Sequence, residues 1–570
     1  MTKKLTALLL SLSLLLGLAL PAMATPVPNH DPIIILPGFT ATSMFIYPND
    51  PEQRRHVWVP DFGMVGDEAL RELPGLLGGL LLWLLTRQSG VATNAFARAA
   101  ERAVGMMAMN PDGTPVYDVG PFPGESAADF SLAAIRANED PNAWLMLQLG
   151  AFARVFEEQV GAENVFVFQS DWRESNVENA RQLRAFIQEV KEITGSETVR
   201  LFGYSYGGQL AGVYLAEFAG DRDVSLVVVD VPAFGGSSAV PDLLMGRGFQ
   251  LNIGTLLRFL ESYNATEGSR DFGWLLDLLP QQCVAPLAID LLQAGILPIV
   301  RGWGGLWDLV PAADFDETLY VVMGDDAYWW LEDSIRLHHE IMPNWGEILR
   351  RAQEEYDIAV RIVANTGKQQ LAGTTGRNSD GLLDVRYTTG ARAAPLGERL
   401  AGGERLSPGG DIDAADAWLP DHTWFVQGQF HGASWGDPYA FVLLSALMLD
   451  PALNSVHCDP EFPQFGLSRS PSQELWARFD ASPPGFLGED DSVLRLENLM
   501  REHNIRVFAV KGLDVACPRG AVLAPGEALE LALGDMPESG FATLRVVYRL
   551  EPGGFALPVH RRKGFDVTVI

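Results

Sequence analysis

A serine with glycines two positions to either side, Gly203-Tyr204-Ser205-Tyr206-Gly207, has the spacing of a nucleophile mounted on a sharp turn. The chain holds that pattern twice, because Gly432 to Gly436 reads G-A-S-W-G around Ser434. Context separates the two copies. Such a turn needs a buried strand entering, a tight bend, and a helix leaving at once. Before Gly203 stands E-T-V-R-L-F, apolar and β-branched; after Gly207 and Gly208 stands Q-L-A-G-V-Y-L-A-E-F, with helical spacing. The crowding of backbone against helix leaves little room for side chains at the flanking glycines. Ser434 is followed by Asp437-Pro438, an N-cap and first-turn pair that opens a helix, so it reads as loop.

A serine hydroxyl becomes nucleophilic when a histidine takes its proton and an acid fixes the tautomer of that histidine, in the chain order Ser, Asp, His. Asp380, in R-N-S-D-G-L-L-D-V-R-Y, follows the strand-like I-A-V-R-I-V-A-N-T-G and sits in a turn beside Gly381. Asp384, four residues on, is its rival, and an Asx-turn without catalytic use is the alternative for either. Downstream of Asp380 lie His422, His431, His457, His503 and His560. Only His431 falls between a strand-like run, T-W-F-V-Q-G-Q-F, and a helix, D-P-Y-A-F-V-L-L-S-A-L-M-L. That is where a base must reach the serine. His422 lies at the other end of that strand. Two backbone N–H groups must face the negative charge that develops on the substrate. Tyr206 supplies one; Phe39, in the I-L-P-G-F-T-A-T-S loop, supplies the other, with Thr40 one register away.

The elements that must position these groups are short apolar strands alternating with amphipathic helices, which implies an α/β fold with a mostly parallel sheet covered on both faces. In E-S-N-V-E-N-A-R-Q-L-R-A-F-I-Q-E-V-K-E-I-T-G, Val177, Ala180, Leu183, Ile187 and Val190 line one side and Gly195 marks the end. This is the framework of an α/β hydrolase, expected over residues 25-458. Two segments interrupt the alternation, near 59-160 and 247-355. The first contains the apolar run Leu73 to Leu85; the second is rich in Leu and Trp, including Trp303, Trp307, Trp329 and Trp330. They read either as ordinary buried helices or as a cap and lid over an acyl-chain pocket that touches lipid interfaces. Residues 459-570 read as a small β-rich module, with one helix expected in S-V-L-R-L-E-N-L-M-R-E-H-N.

Residues 1-24 carry Lys3 and Lys4, an apolar run from Leu5 to Leu20, and Ala22-Met23-Ala24, the pattern of a cleaved secretory signal, so a secreted or periplasmic protein is expected. A chain of 570 residues exceeds what one core commonly supports. Three cysteines, Cys283, Cys458 and Cys517, allow at most one internal disulfide. A net charge of -30 argues against nucleic acid as a partner. No phosphate loop, dinucleotide fingerprint or paired-cysteine motif calls for a cofactor. Asp411, Asp413 and Asp416 lack a full calcium loop and read as a solvated acidic stretch, so no metal site is expected.

Several segments together resemble the lecithin:cholesterol acyltransferase family of lipid acyltransferases and phospholipases. These are P-I-I-I-L-P-G-F-T-A-T-S-M, N-P-D-G-T-P-V-Y-D-V-G-P, S-D-W-R-E-S-N-V-E-N-A-R-Q-L-R-A-F-I, V-D-V-P-A-F-G-G-S-S-A-V-P-D-L-L-M-G and G-G-L-W-D-L-V-P, in order between Pro32 and Asp450. The elbow has Tyr204 where that family often has histidine, and the acid turn is similar to that of secreted bacterial triacylglycerol lipases. The resemblance implies Ser205, Asp380 and His431 as triad, with Phe39 and Tyr206 as oxyanion donors. The expected activity is cleavage or transfer of acyl esters of lipids, as a phospholipase, lipase or O-acyltransferase, with an alcohol as one possible acyl acceptor. A general carboxylesterase and a non-catalytic binding protein on the same scaffold are the alternatives.

Overall fold

The computed structural model describes residues 31–58, 83, 86, 89–110, 112–137, 143–246, 289–324, 331–372, 377–468, 475–481, 486–498, 503–518, 520–535, 540–551 and 561–569. The expected signal segment, Trp329 and Trp330, Cys283, and Leu73 to Leu85 apart from Trp83 lie outside them.

Seven strands form one parallel sheet: β1 (Ile33–Leu36), β2 (Val165–Val167), β3 (Val199–Tyr204), β4 (Val224–Asp230), β5 (Ala359–Thr366), β6 (Thr423–Gln427) and β7 (Phe465–Leu467). Their spatial order is β7-β6-β5-β4-β3-β1-β2. The strands are near-continuous apolar runs because both faces are covered. Alternate residues serve opposite cores: Ile34, Leu36, Leu201, Val227 and Val229 belong to one, Ile33, Ile35, Phe202, Leu226 and Val228 to the other. The first core is closed by α2 (Asn176–Thr194), α3 (Tyr206–Phe218) and α4 (Trp345–Glu354), and the second by α1 (Ala143–Val160) and α5 (Pro438–Leu449).

Local chemistry sets the ends of these helices. Ser175 caps α2 through its side chain on the Val177 N–H, and Gly195 ends it in the left-handed conformation. Asp437 caps α5 by accepting from the N–H groups of Tyr439 and Ala440, with Pro438 in the first turn. This is the α/β-hydrolase arrangement. β1 steps outward to β2 before the chain crosses back to β3. The crevice beyond the carboxyl ends of β1 and β3 is therefore a topological switch point, where such sheets place their ligands.

Some expectations change. The sheet draws its last strand, β7, from beyond residue 458. Of the stretch 492–504, expected to be a helix, Val493–Asn498 is instead a strand, and the run after it is a second strand, Asn504–Lys511; residues 499–502 lie outside the described residues. In the first, Leu494, Leu496 and Asn498 are buried while Val493, Arg495 and Glu497 are only partly covered. Period two prevails there because Val493–Asn498 is the middle strand of a three-stranded antiparallel sheet, between Leu475–Phe479 and Ala528–Ala532. A five-stranded sheet built around Gly540–Glu551 shares a core with it, in which Leu494, Leu496 and Leu531 join Ile505, Val507 and Leu544.

In the second inserted segment Trp303 and Trp307 are buried, and their indole N–H groups donate to the Met107 and Arg301 carbonyls. Trp307 ends the short helix Gly304–Trp307, and Trp303 precedes it. Cys458 and Cys517 are free thiols. Among the described residues no helix is long and apolar enough to cross a membrane.

Candidate active site

Ser205 follows β3 directly and precedes the first residue of α3, with φ 54° and ψ −115°. A side chain rarely adopts that conformation, which costs on the order of 1–3 kcal/mol and survives only where the surroundings impose it. The surroundings here are backbone. A Cβ at Gly207 would lie 2.1 Å from the Leu36 carbonyl oxygen, and one at Gly203 would lie 2.8 Å from the Gly208 Cα. The Ser205 N–H donates to the Asp230 carbonyl at the end of the neighbouring strand, 2.9 Å away. Strand, turn and helix are thus locked together and the hydroxyl is left at the sheet's carboxyl edge.

The three residues expected to act together come from three separate loops at that edge. His431 Nε2 is 2.9 Å from Ser205 Oγ, and His431 Nδ1 is 2.7 Å from Asp380 Oδ2. The other carboxylate oxygen of Asp380 accepts from the N–H groups of Leu382 and Leu383, at 2.9 and 2.7 Å. The His431 N–H donates to the Asp380 carbonyl at 2.7 Å, so the two loops are joined through main chain as well as side chain. Ser205, His431 and Asp380 are 8%, 5% and 1% exposed; the site is nearly dry, which strengthens each polar contact in it.

Asp384 points elsewhere. Its carboxylate accepts from Gln370 and from the Ser238 N–H, with Arg377 at 3.9 Å. His422 bonds the Asn454 carbonyl, and His457 bonds Asp421. Ser434 lies in a short 3-10 turn, as its context implied, but it is fully buried, and its hydroxyl donates to Asp230 Oδ1 at 3.2 Å. Asn365 reaches both the Phe430 carbonyl and the Ser434 hydroxyl, at 3.2 and 3.4 Å, and so braces the loop that carries His431.

Asp230 was not singled out by sequence reasoning. It ends the apolar run V-S-L-V-V-V-D, and a charge at the carboxyl end of a buried strand was the available signal. Burial, with a smaller contribution from the Asp380 charge, pushes its carboxyl up to about 7, against the Ser434 hydrogen bond and the nearby His431.

The residues that carry the candidate oxyanion donors touch through their rings. The ring of Phe39 meets that of Tyr206 edge-on, centroids 5.5 Å apart at 81°, and also packs on Trp172 and Trp303. The Tyr206 N–H belongs to the first turn of α3, where backbone donors have no partner within the helix. Thr40, next to Phe39, has φ 64°, and its carbonyl accepts from the Trp58 indole at 2.9 Å. The loop is held both from outside and by its own turn, in which the Ala41 N–H donates to the Gly38 carbonyl at 3.1 Å.

Of the acidic stretch Asp416 is exposed, as expected, but Asp411 and Asp413 are not. Asp413 is buried and accepts from Arg392 and from the N–H groups of Glu404, Arg405 and Ala415; Asp411 is buried against Ser407 and Asn378. These carboxylates fold the loop that follows the acid turn. Among the described residues no group of three or more His, Cys, Asp or Glu side chains is placed to hold a metal ion.

No family model and no curated protein matches this chain. Among solved structures it is similar to a chain in the crystal structure of the Tle4-Tli4 complex, at 14% identity and a TM-score of 0.32, covering 74% of this chain and 98% of that one. It is also similar to phospholipase PlaB from Legionella pneumophila, at 12% identity and a TM-score of 0.27, covering 74% of this chain and 87% of that one. The sheet order and the elbow, rather than these distant likenesses, make the fold that of an α/β hydrolase.

Proposed function

We propose that this chain is a secreted serine esterase that acts on acyl esters of lipids, by hydrolysis or by transfer of the acyl group to an alcohol. The observation that carries the reading is the unbroken line Ser205 Oγ, His431 Nε2, His431 Nδ1, Asp380 Oδ2, with contacts of 2.9 and 2.7 Å at the carboxyl edge of a parallel sheet. In the proposed cycle Ser205 Oγ bonds to the acyl carbon as its proton passes to His431 Nε2, and Asp380 stabilises the imidazolium. The carbonyl oxygen, now negative, faces the Phe39 and Tyr206 N–H groups. The carbon–oxygen bond to the leaving alcohol then breaks, and that oxygen takes the proton from His431. Water or a second alcohol attacks the resulting acyl-serine, again giving its proton to His431, and Ser205 is released with a free acid or a new ester as product.

The lipid preference rests on two supports. The motifs resemble those of the lecithin:cholesterol acyltransferase family, and the Phe39 and Tyr206 that carry the oxyanion donors belong to an aromatic cluster with Trp172 and Trp303. A fluorophosphonate probe tests the chemistry. The reading expects covalent labelling of wild type at Ser205 and none of Ser205→Ala. A folded wild-type protein that does not label would make it a binding protein on a hydrolase scaffold. Incubation with a mixed lipid extract, with and without an added alcohol, followed by mass spectrometry of products, separates hydrolysis from transfer.

A further inference from the structure

Tyr206 is held at three points. Its carbonyl accepts from Asn176 Nδ2 at 3.1 Å, its ring is flanked by Phe39, and its hydroxyl lies 3.0 Å from Asp308 Oδ2 and 2.9 Å from the Glu174 carbonyl. Asp308 is fully buried and stands 102 residues further along the chain, within the inserted segment. Its carboxylate also accepts from the Asn176 N–H at 2.6 Å, from Ser334 Oγ at 2.9 Å and from Ser175 Oγ. Its carbonyl accepts from Gln209 Nε2 at 3.0 Å, and Gln209 in turn accepts from Asn176. One carboxylate therefore joins the N-terminus of α2, the first turn of α3 and two pieces of the insertion. The approach is close: a Cβ at Gly305 would lie 2.9 Å from the Tyr206 hydroxyl oxygen and 2.1 Å from the Trp172 carbonyl oxygen.

Burying a carboxylate is costly, and a well-packed apolar residue commonly gives more stability than a buried charge. Stability alone is thus a poor reason for Asp308, whereas a fixed direction for its hydrogen-bond partners is a good one. We propose that Asp308 is a positioning residue for the oxyanion site, holding Tyr206 by its hydroxyl so that the N–H of the same residue stays aimed at the developing oxyanion. This rests on the esterase reading and adds to it a role for the insertion. Residues 303–310 pack directly against the elbow. The tie requires the hydroxyl that Tyr206 brings to the position after the nucleophile.

The test is a double-variant cycle of Tyr206→Phe, Asp308→Asn and the pair together, assayed on a water-soluble p-nitrophenyl ester. Affinity for an alkyl boronic acid, whose tetrahedral adduct needs the oxyanion donors, is measured in parallel. Each single variant is expected to lower kcat about 10- to 100-fold, below the loss from deleting a donor outright, with KM within about threefold. Boronate affinity should fall in proportion to kcat. The pair should be no worse than the worse single variant, because both cut the same tie. Additive losses, or an unchanged kcat in Tyr206→Phe, would overturn the proposal. Should Asp308→Asn fail to fold, Tyr206→Phe still decides, since it removes only one hydroxyl. If wild type itself resists the fluorophosphonate, the esterase reading fails; if wild type labels and Tyr206→Phe keeps full kcat and boronate affinity, only the positioning role fails.

Discussion

Replacing Asp380 by Asn isolates one proton. In the structure Asp380 Oδ1 accepts two backbone N–H groups of its own turn, and Oδ2 faces His431 Nδ1 at 2.7 Å. An Asn side chain keeps the turn by placing its carbonyl oxygen on the Leu382 and Leu383 N–H groups, so its NH2 must point at His431. An NH2 donates and cannot accept; His431 Nδ1 must then become the acceptor and carry its hydrogen on Nε2 instead. That nitrogen, 2.9 Å from Ser205 Oγ, no longer has a lone pair for the serine proton. The expected loss in kcat is ~10⁴-fold, equivalent to ~5 kcal/mol of transition-state stabilisation, with little change in KM. The fluorophosphonate inactivation rate should fall with it, since that reaction needs the same proton transfer. Fold and thermal stability should hold, because volume and turn are preserved. Asp384→Asn is the matched control. It alters a carboxylate bonded to Gln370 and the Ser238 N–H, away from His431, and should leave kcat within about threefold. An Asp380→Asn enzyme within tenfold of wild type, or one that outperforms Asp384→Asn, would refute the assignment.

Ser434→Ala should still label at Ser205 and nowhere else, at a rate reduced a few-fold by the slackened His431 loop; peptide mapping that finds the probe at position 434 in wild type would reverse the choice between the two G-x-S-x-G copies. Gly207→Ala should abolish labelling and cost several kcal/mol of stability, because a Cβ 2.1 Å from the Leu36 carbonyl oxygen forces β1 and α3 apart; a variant with wild-type urea midpoint and activity would contradict this. Asp230→Asn addresses pH. The folded-state value of about 7 lies above the usual carboxylate value, so the folded protein binds this proton more tightly than the unfolded chain does. The stabilisation it brings is complete below the ordinary carboxylate pKa, declines as pH rises, and is gone above about 7. The Asn variant should therefore show a flatter fall of Tm between about pH 4 and 7, with a ceiling of ~4 kcal/mol on the difference. Identical Tm-against-pH curves for the two proteins would refute it.

The strands, the elbow and the helix caps were legible in the sequence because each depends on neighbours a few positions away. Apolar runs, the glycine spacing around Ser205, Gly195 ending α2, and Asp437-Pro438 opening α5 all carry their physics locally. The choice of His431 among five histidines also followed from local context, since only it stands between a strand and a helix at the end where the serine emerges. Where two periods competed, as in S-V-L-R-L-E-N, local reading chose a helix and the neighbouring strands decided otherwise.

Pairing across distance is what only the tertiary structure decided. Nothing near Asp308 in the chain says that its carboxylate meets Tyr206, or that Ser434 backs onto Asp230, because those hydrogen bonds join residues 102 and 204 positions apart. Likewise Asp411 and Asp413 look like exposed acids until Arg392, Ser407 and a row of backbone N–H groups close around them. Sequence determines which groups can react and which segments must be buried. The cost of leaving a buried polar atom without a partner, settled only when the whole chain packs, determines which groups meet.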